Sequence, residues 1–175
     1  MPISSWNAIT PIMNEVYFLQ PKTVLELGVG YGKYGVLLRE VLDAMYGRCR
    51  PDQWEARIDG VEAWEPYRSP CWDAYSKVSI EDFGKHEYTG YDLVLMIDSL
   101  EHLEPQQGRG FLAGLVARNK HVIVSVPVQY MPQGAAYGNE FETHRTHHTG
   151  IEFNEYNPTV LNRDMCLTVS IKGRG

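Results

Sequence analysis

The 175-residue chain has only three cysteines, Cys49, Cys71 and Cys166. An odd number at wide spacing gives neither a CxxC metal pair nor a disulfide framework, so reduced thiols acting as small packing residues are expected. Basic residues are also sparse: 16 Lys and Arg face 22 Asp and Glu, for a formal net charge of -6. They are scattered, apart from Arg48 with Arg50 and Lys172 with Arg174. A polynucleotide partner needs clustered cations to displace counterions, so nucleic acid is disfavoured. No apolar run approaches the roughly 20 residues that span a bilayer. The first 20 residues also lack the basic n-region and apolar run of a secretory signal. A cytoplasmic protein with no membrane partner is expected. There is no internal repeat and no low-complexity tract, and 43% hydrophobic content suits one globular domain over 1–175.

Strand-like and helix-like segments alternate from Thr23 onward, the pattern of a parallel sheet with helices on both faces. Strands are expected at Thr23–Leu27, Arg57–Glu62, Lys77–Ile80, 91–97 and 121–126, with a last one over 165–171 at a sheet edge. The 91–97 run is almost continuously apolar, as a central strand buried on both faces should be. Val36, Leu37, Val41, Leu42 and Met45 recur at helical spacing, predicting a helix over 33–46 that stops at Gly47. Pro66 suits the first turn of a second helix, and Pro105 opens a third whose inner face carries Phe111, Leu112, Leu115 and Val116. Residues 1–20 form an N-terminal helical segment interrupted by Pro11. The 129–158 stretch is polar, aromatic and aperiodic, and an irregular segment that long in a compact domain marks function.

The most informative stretch places Glu26 inside an apolar strand, two residues before Gly28, Gly30 and Gly32. A buried carboxylate costs several kcal/mol unless a charge or hydrogen bond meets it. Alternating glycines let the backbone turn and approach a ligand closely. Gly30, Gly32 and Gly35 fit the dinucleotide pattern GxGxxG, but its ribose-binding acid belongs about 20 residues further on, and the nearest strand-end acid, Glu62, lies further still. An acid followed by GxGxG, with Gly28 ending the strand, fits better. That set resembles the first motif of class I S-adenosylmethionine-dependent methyltransferases.

The resemblance covers most of 23–127 and implies a Rossmann-like three-layer α/β sandwich. In its terms Glu26, Gly28, Gly30 and Gly32 serve the amino-acid end of S-adenosylmethionine. Glu62 closes strand two as the ribose acid, with Ala63 and Trp64 beside the adenine. Asp82 takes the adenine amino group and Phe83 forms a wall. The run from Tyr91 to Leu103, with its Glu101-His102-Leu103, matches the family's fourth strand, and Asp98 at its mouth joins the cofactor-binding set. Asp92, at the opposite end of that strand, has a turn role, and His102 is read as structural.

The resemblance implies methyl transfer to an O or N acceptor. Asp98 and His144 are the candidate general bases for a hydroxyl. Glu142, His144, His147 and His148 offer ligand types found in metal sites, but spacing alone is weak support and no metal site is assigned. Tyr130, Tyr137, Phe141, Phe153 and Tyr156 would wall an acceptor pocket within 129–158. Without a separate cap domain, the acceptor is expected to be a small molecule, a glycan or a protein side chain, with a homodimer partner able to complete the site. Two rivals stand: a non-catalytic module binding S-adenosylmethionine or S-adenosylhomocysteine, and an NAD(P)-dependent oxidoreductase.

Overall fold

The computed structural model describes residues 4–175, so positions 1–3 of the N-terminal segment lie outside the described residues. Seven strands form one sheet: β1 (Thr23–Leu27), β2 (Arg57–Glu62), β3 (Lys77–Ile80), β4 (Leu93–Ile97), β5 (His121–Pro127), β6 (Thr159–Arg163) and β7 (Cys166–Lys172). Their order is β3-β2-β1-β4-β5-β7-β6. The five strands β1 to β5 are mutually parallel, whereas β7 runs antiparallel to both β5 and β6.

Side-chain alternation explains the three layers. Val24, Ile58, Leu93, Leu95, Ile97 and Ile123 share one core with Ile12 and Val16 of α1 (Ile9–Leu19) and Leu38 of α2 (Lys33–Leu42). Leu25, Leu27, Val94, Met96, Val122 and Val124 share the other with Leu112, Leu115 and Val116 of α3 (Pro105–Arg118). Every residue of β4 is buried, as its unbroken apolar run predicts. Each fully buried aliphatic side chain of this kind contributes about 1.5–3 kcal/mol.

Five expectations need correction. The helix expected over 33–46 is α-helical only to Leu42 and finishes as a 3-10 turn, Ala44–Tyr46, although Gly47 does stop it at φ +79°. Asp43 explains the break. Its fully buried carboxylate accepts from Arg39 at 2.7 Å, from Arg48 at 2.9 Å and from Glu55 N at 2.9 Å, tying the chain after α2 to the approach to β2. No α-helix follows Pro66; two 3-10 stretches, Glu65–Tyr67 and Pro70–Ala74, stand there instead. Ser69 precedes a proline and is extended at φ -136° and ψ 166°, which ends any helix begun at Pro66.

Pro11 does not interrupt α1, because it falls within the first turn, where backbone N–H groups have no intrahelical acceptor. Nor is β7 an edge strand. It is flanked by β6, and the half-exposed β6, with an irregularity between Val160 and Asn162, forms the edge. The thiols divide: Cys166 is buried, as expected of a packing residue, while Cys49 and Cys71 are exposed. Among the described residues, no helix is long and apolar enough to cross a membrane.

Candidate functional site

From β1 the sheet order runs to β2 and β3 on one side and to β4 and β5 on the other. The connections leaving β1 and β4 therefore diverge and open a crevice at the carboxyl ends of the strands. A cavity of about 680 Å³ occupies that crevice, within the roughly 300–1,000 Å³ span of small-molecule sites. Glu26, Gly28, Gly30, Glu62, Ala63, Asp82, Phe83, Asp98 and His144 all line it. Gly32 is not among its lining residues. It caps the start of α2 at φ +87°, and a side chain there would press on Cys71 and Trp72. Trp64 likewise packs on the core beneath α1 and α2 rather than lining the cavity.

Hydrogen bonds shape the glycine loop. The N–H groups of Gly28 and Val29 donate to Val61 O at 2.9 and 3.2 Å, and Trp72 Nε1 donates to Gly30 O at 2.9 Å. Gly28 has φ +88°, and a Cβ there would lie 2.5 Å from Ser99 Oγ, so the close approach of β1 to the end of β4 requires glycine. Glu62 accepts from Gly30 N at 2.7 Å and from Trp64 N at 2.9 Å, joining the loop after β1 to the turn after β2. Burial raises its pKa. Asp82 accepts from Gly84 N at 3.1 Å and pairs with Lys85 at 3.2 Å, capping a short turn while lining the cavity. Phe83 rests 5.7 Å from the Phe111 ring.

Glu26 is buried on the cavity wall and accepts a hydrogen bond from Tyr75 Oη at 2.5 Å, while Gly35 N donates to the same Tyr75 oxygen at 2.9 Å. Desolvation dominates over that bond, and the Glu26 pKa is raised from 4.5 to about 8. Even with the Lys33 ammonium lowering it, this carboxyl is mostly protonated at pH 7. Lys33 lines the same wall, lies within electrostatic reach of both Glu26 and Asp98, and has its pKa lowered by burial. Asp98 stands in the left-handed region at φ +48°. It is fixed there by Ser125 Oγ at 2.7 Å, Ser5 N at 3.0 Å and its own N–H to Ser125 O at 2.9 Å. Asp92, at the far end of β4, accepts from Lys22 N and Thr23 N and pairs with Lys120 at 2.7 Å, the turn role expected of it.

The 129–158 segment supplies Met131, Gln133, Asn139, Phe141, Glu142, His144 and Arg145 to the opposite wall. Of the five expected aromatic walls only Phe141 lines the cavity. Phe153 is core, Tyr156 packs on that core, and Tyr130 and Tyr137 are exposed. The histidines of this segment separate. His148 pairs with Glu152 at 2.6 Å and stacks on Phe153, while His147 is exposed.

Of the three, His144 lines the cavity, where it meets the turn after β4. One carboxylate oxygen of Glu101 and one ring nitrogen each of His102 and His144 lie within 4.8 Å of one another. Glu101 is 2% exposed, and its Oε2 has no hydrogen-bond partner among the described residues. Desolvation holds its pKa well above the usual carboxylate range and lowers that of His102. Lys33, Tyr67 and Glu101 are lining residues that sequence reasoning did not single out; a lysine directly after the last glycine of the loop was the available signal for the first.

No protein-family model matches the sequence, and no curated protein matches it. Solved structures do. The N-terminal domain of EvdMO1 with S-adenosylhomocysteine bound aligns over 98% of this chain and 83% of its own, at TM-score 0.64 and 13% identity. The methyltransferase domain of a bacterial CtHen1 aligns over 95% of this chain and 97% of its own, at TM-score 0.60 and 18% identity. A Burkholderia thailandensis 1,6-didemethyltoxoflavin-N1-methyltransferase, with 1,6-didemethyltoxoflavin and S-adenosylhomocysteine bound, aligns over 96% and 79%, at TM-score 0.63 and 15% identity. The chain has the Rossmann-like α/β fold of these structures.

Proposed function

We propose that the chain is an S-adenosylmethionine-dependent methyltransferase acting on an O or N acceptor. The observation that carries this reading is the placement of Glu26, Lys33 and Asp98 at the β1/β4 end of the crevice, with Glu62, Asp82 and Phe83 at the β2/β3 end. The amino-acid end of the cofactor is a zwitterion, and the β1/β4 end offers two carboxyl groups and one ammonium within electrostatic reach of each other. Glu26, neutral when alone, regains its charge beside a bound ammonium, so a cation relieves the cost of its burial. Glu62 keeps lone pairs free for ribose hydroxyls while its two hydrogen bonds hold the loop. Ala63, Asp82 and Phe83, which follow β2 and β3, line the cavity and are assigned to the adenine.

When bound, S-adenosylmethionine supplies an electrophilic methyl on a sulfonium, and transfer to the acceptor's lone pair breaks the carbon–sulfur bond and leaves a neutral thioether. The protein's part is alignment and exclusion of water. Asp98, already accepting from Ser125 and Ser5, serves this reading better as an anchor than as a base. His144 stands on the acceptor side with Glu101 and His102.

A thermal-shift comparison of S-adenosylmethionine, S-adenosylhomocysteine, NAD and ATP tests the proposal. Saturation at 100 times Kd adds about 2.7 kcal/mol, or roughly 5–10 °C for a chain of this size. No response to the first two ligands sinks the proposal, and a response to NAD alone supports the oxidoreductase.

A further inference from the structure

The acid and two histidines on the acceptor side form a set that the proposed cofactor site does not use. We propose that Glu101, His102 and His144 bind a divalent first-row transition-metal ion. One potential ligand atom from each residue lies within 4.8 Å of the others. Ligands 2.0–2.2 Å from a tetrahedral ion stand about 3.3–3.6 Å apart, so modest rotamer adjustments close the site.

Three further features point to an ion rather than to chance proximity. The Glu101 carboxyl is buried, and its Oε2 has no protein partner among the described residues, which is costly for a buried acid. Both histidines are held through Nδ1, which lies 3.1 Å from Thr143 O in His102 and 2.6 Å from Met131 O in His144. An Nδ1–H donating to a carbonyl leaves Nε2 with its lone pair available, the usual arrangement of a metal-ligating imidazole. Finally, the two segments are fastened together. Arg145 N and Thr146 N both donate to Glu101 O, at 2.8 and 3.0 Å, and Thr146 Oγ1 donates to Leu103 O at 2.7 Å. The position of His144 against Glu101 and His102 is therefore built into the backbone.

The donor set selects the ion. Two imidazoles and one carboxylate suit zinc, cobalt or iron better than the all-oxygen preferences of magnesium and calcium. Three protein ligands also leave coordination positions open toward the cavity that all three residues line. This departs from the metal-free expectation. The sequence pattern suggested ligands within 142–148, whereas the structure takes one residue from that segment and two from the turn after β4.

The test titrates CoCl2 and ZnCl2 into protein stripped with chelator, by calorimetry and by the visible d–d absorption of Co2+, with MgCl2 and CaCl2 as hard-ion comparisons. One equivalent of Co2+ should bind with a resolved d–d band, at least tenfold more tightly than Mg2+. Glu101→Gln and His144→Ala should each weaken Co2+ binding at least tenfold, while His86→Ala on the distant surface should leave it unchanged. His144 is only half-buried in a loop, so its variant keeps the test open if Glu101→Gln fails to fold. Absence of Co2+ and Zn2+ binding by folded protein, or undiminished binding by folded His144→Ala, overturns the proposal. Neither readout needs S-adenosylmethionine, so failure here is separable from failure of the methyl-transfer reading.

Discussion

Replacing Glu26 by Gln should change how stability depends on pH. In the fold this carboxyl has a pKa of about 8 against 4.5 for an ordinary one. A raised pKa means that the folded state holds a proton which the unfolded chain releases above pH 4.5. Its stability is therefore fully present below that pH and is lost as pH rises toward 8. Integrating the linkage between pH 5.5 and 7.5 gives a loss on the order of 2.5 kcal/mol from this one group. Gln mimics the neutral acid, can still accept from Tyr75, and does not titrate, so the Glu26→Gln protein should lack this part of the slope. Glu62 and Glu101 are also raised by burial and contribute slopes of their own, which cancel in the difference between wild type and variant. Urea unfolding of both proteins at the two pH values measures that difference. A difference unchanged to within about 0.5 kcal/mol would mean that Glu26 titrates normally and that the desolvation argument is wrong. The ligand side has its own sign: if a bound ammonium restores the charge, binding releases a proton below pH 8. S-adenosylmethionine affinity should then rise with pH by up to about tenfold per unit, and Glu26→Gln should flatten it.

Other substitutions test separate parts of the structure. Glu62→Ala should weaken S-adenosylhomocysteine binding by about 1–3 kcal/mol in calorimetry, the usual cost of losing a charged hydrogen-bond partner; unchanged affinity would put the ribose elsewhere. Gly28→Ala forces a Cβ toward Ser99 Oγ at a positive φ, and a loss of about 1–3 kcal/mol is expected by urea unfolding, with weakened ligand binding. Asp43→Ala leaves the buried Arg39 without its acid and should cost about 3–5 kcal/mol; a change under 1 kcal/mol would show that the Arg39–Asp43–Arg48 group is incidental.

The legible parts of this chain were those written in local pattern. β1, β2 and β3 have the bounds expected of them because their apolar runs are punctuated by Gly, Pro or charge. Nine of the ten site residues, most of them assigned through the family resemblance, line one cavity, and the acids among them end strands that point into the crevice of a parallel sheet. What local pattern missed depends on partners far away in sequence. The early end of α2 is set by Asp43 meeting Glu55 and Arg48, and the 3-10 stretches after Pro66 are set by the spacing of two prolines. β6 was passed over because its five residues are half exposed and become a strand only against β7. The Glu101–His102–His144 cluster joins positions over 40 apart through hydrogen bonds to Glu101 O.

The antiparallel addition of β7 beside β5 also governs how the chain is made. β5 is an apolar strand buried along its length, and one of its edges pairs only with β7, whose residues begin at Cys166. During synthesis the parallel half of the sheet exists for some 40 residues of translation with that edge bare. An unpaired hydrophobic edge is a template for intermolecular pairing. The closing β6–β7 hairpin is local in sequence and can form quickly once it emerges. Nascent chains arrested before residue 166 should therefore need chaperone protection that chains reaching Lys172 do not.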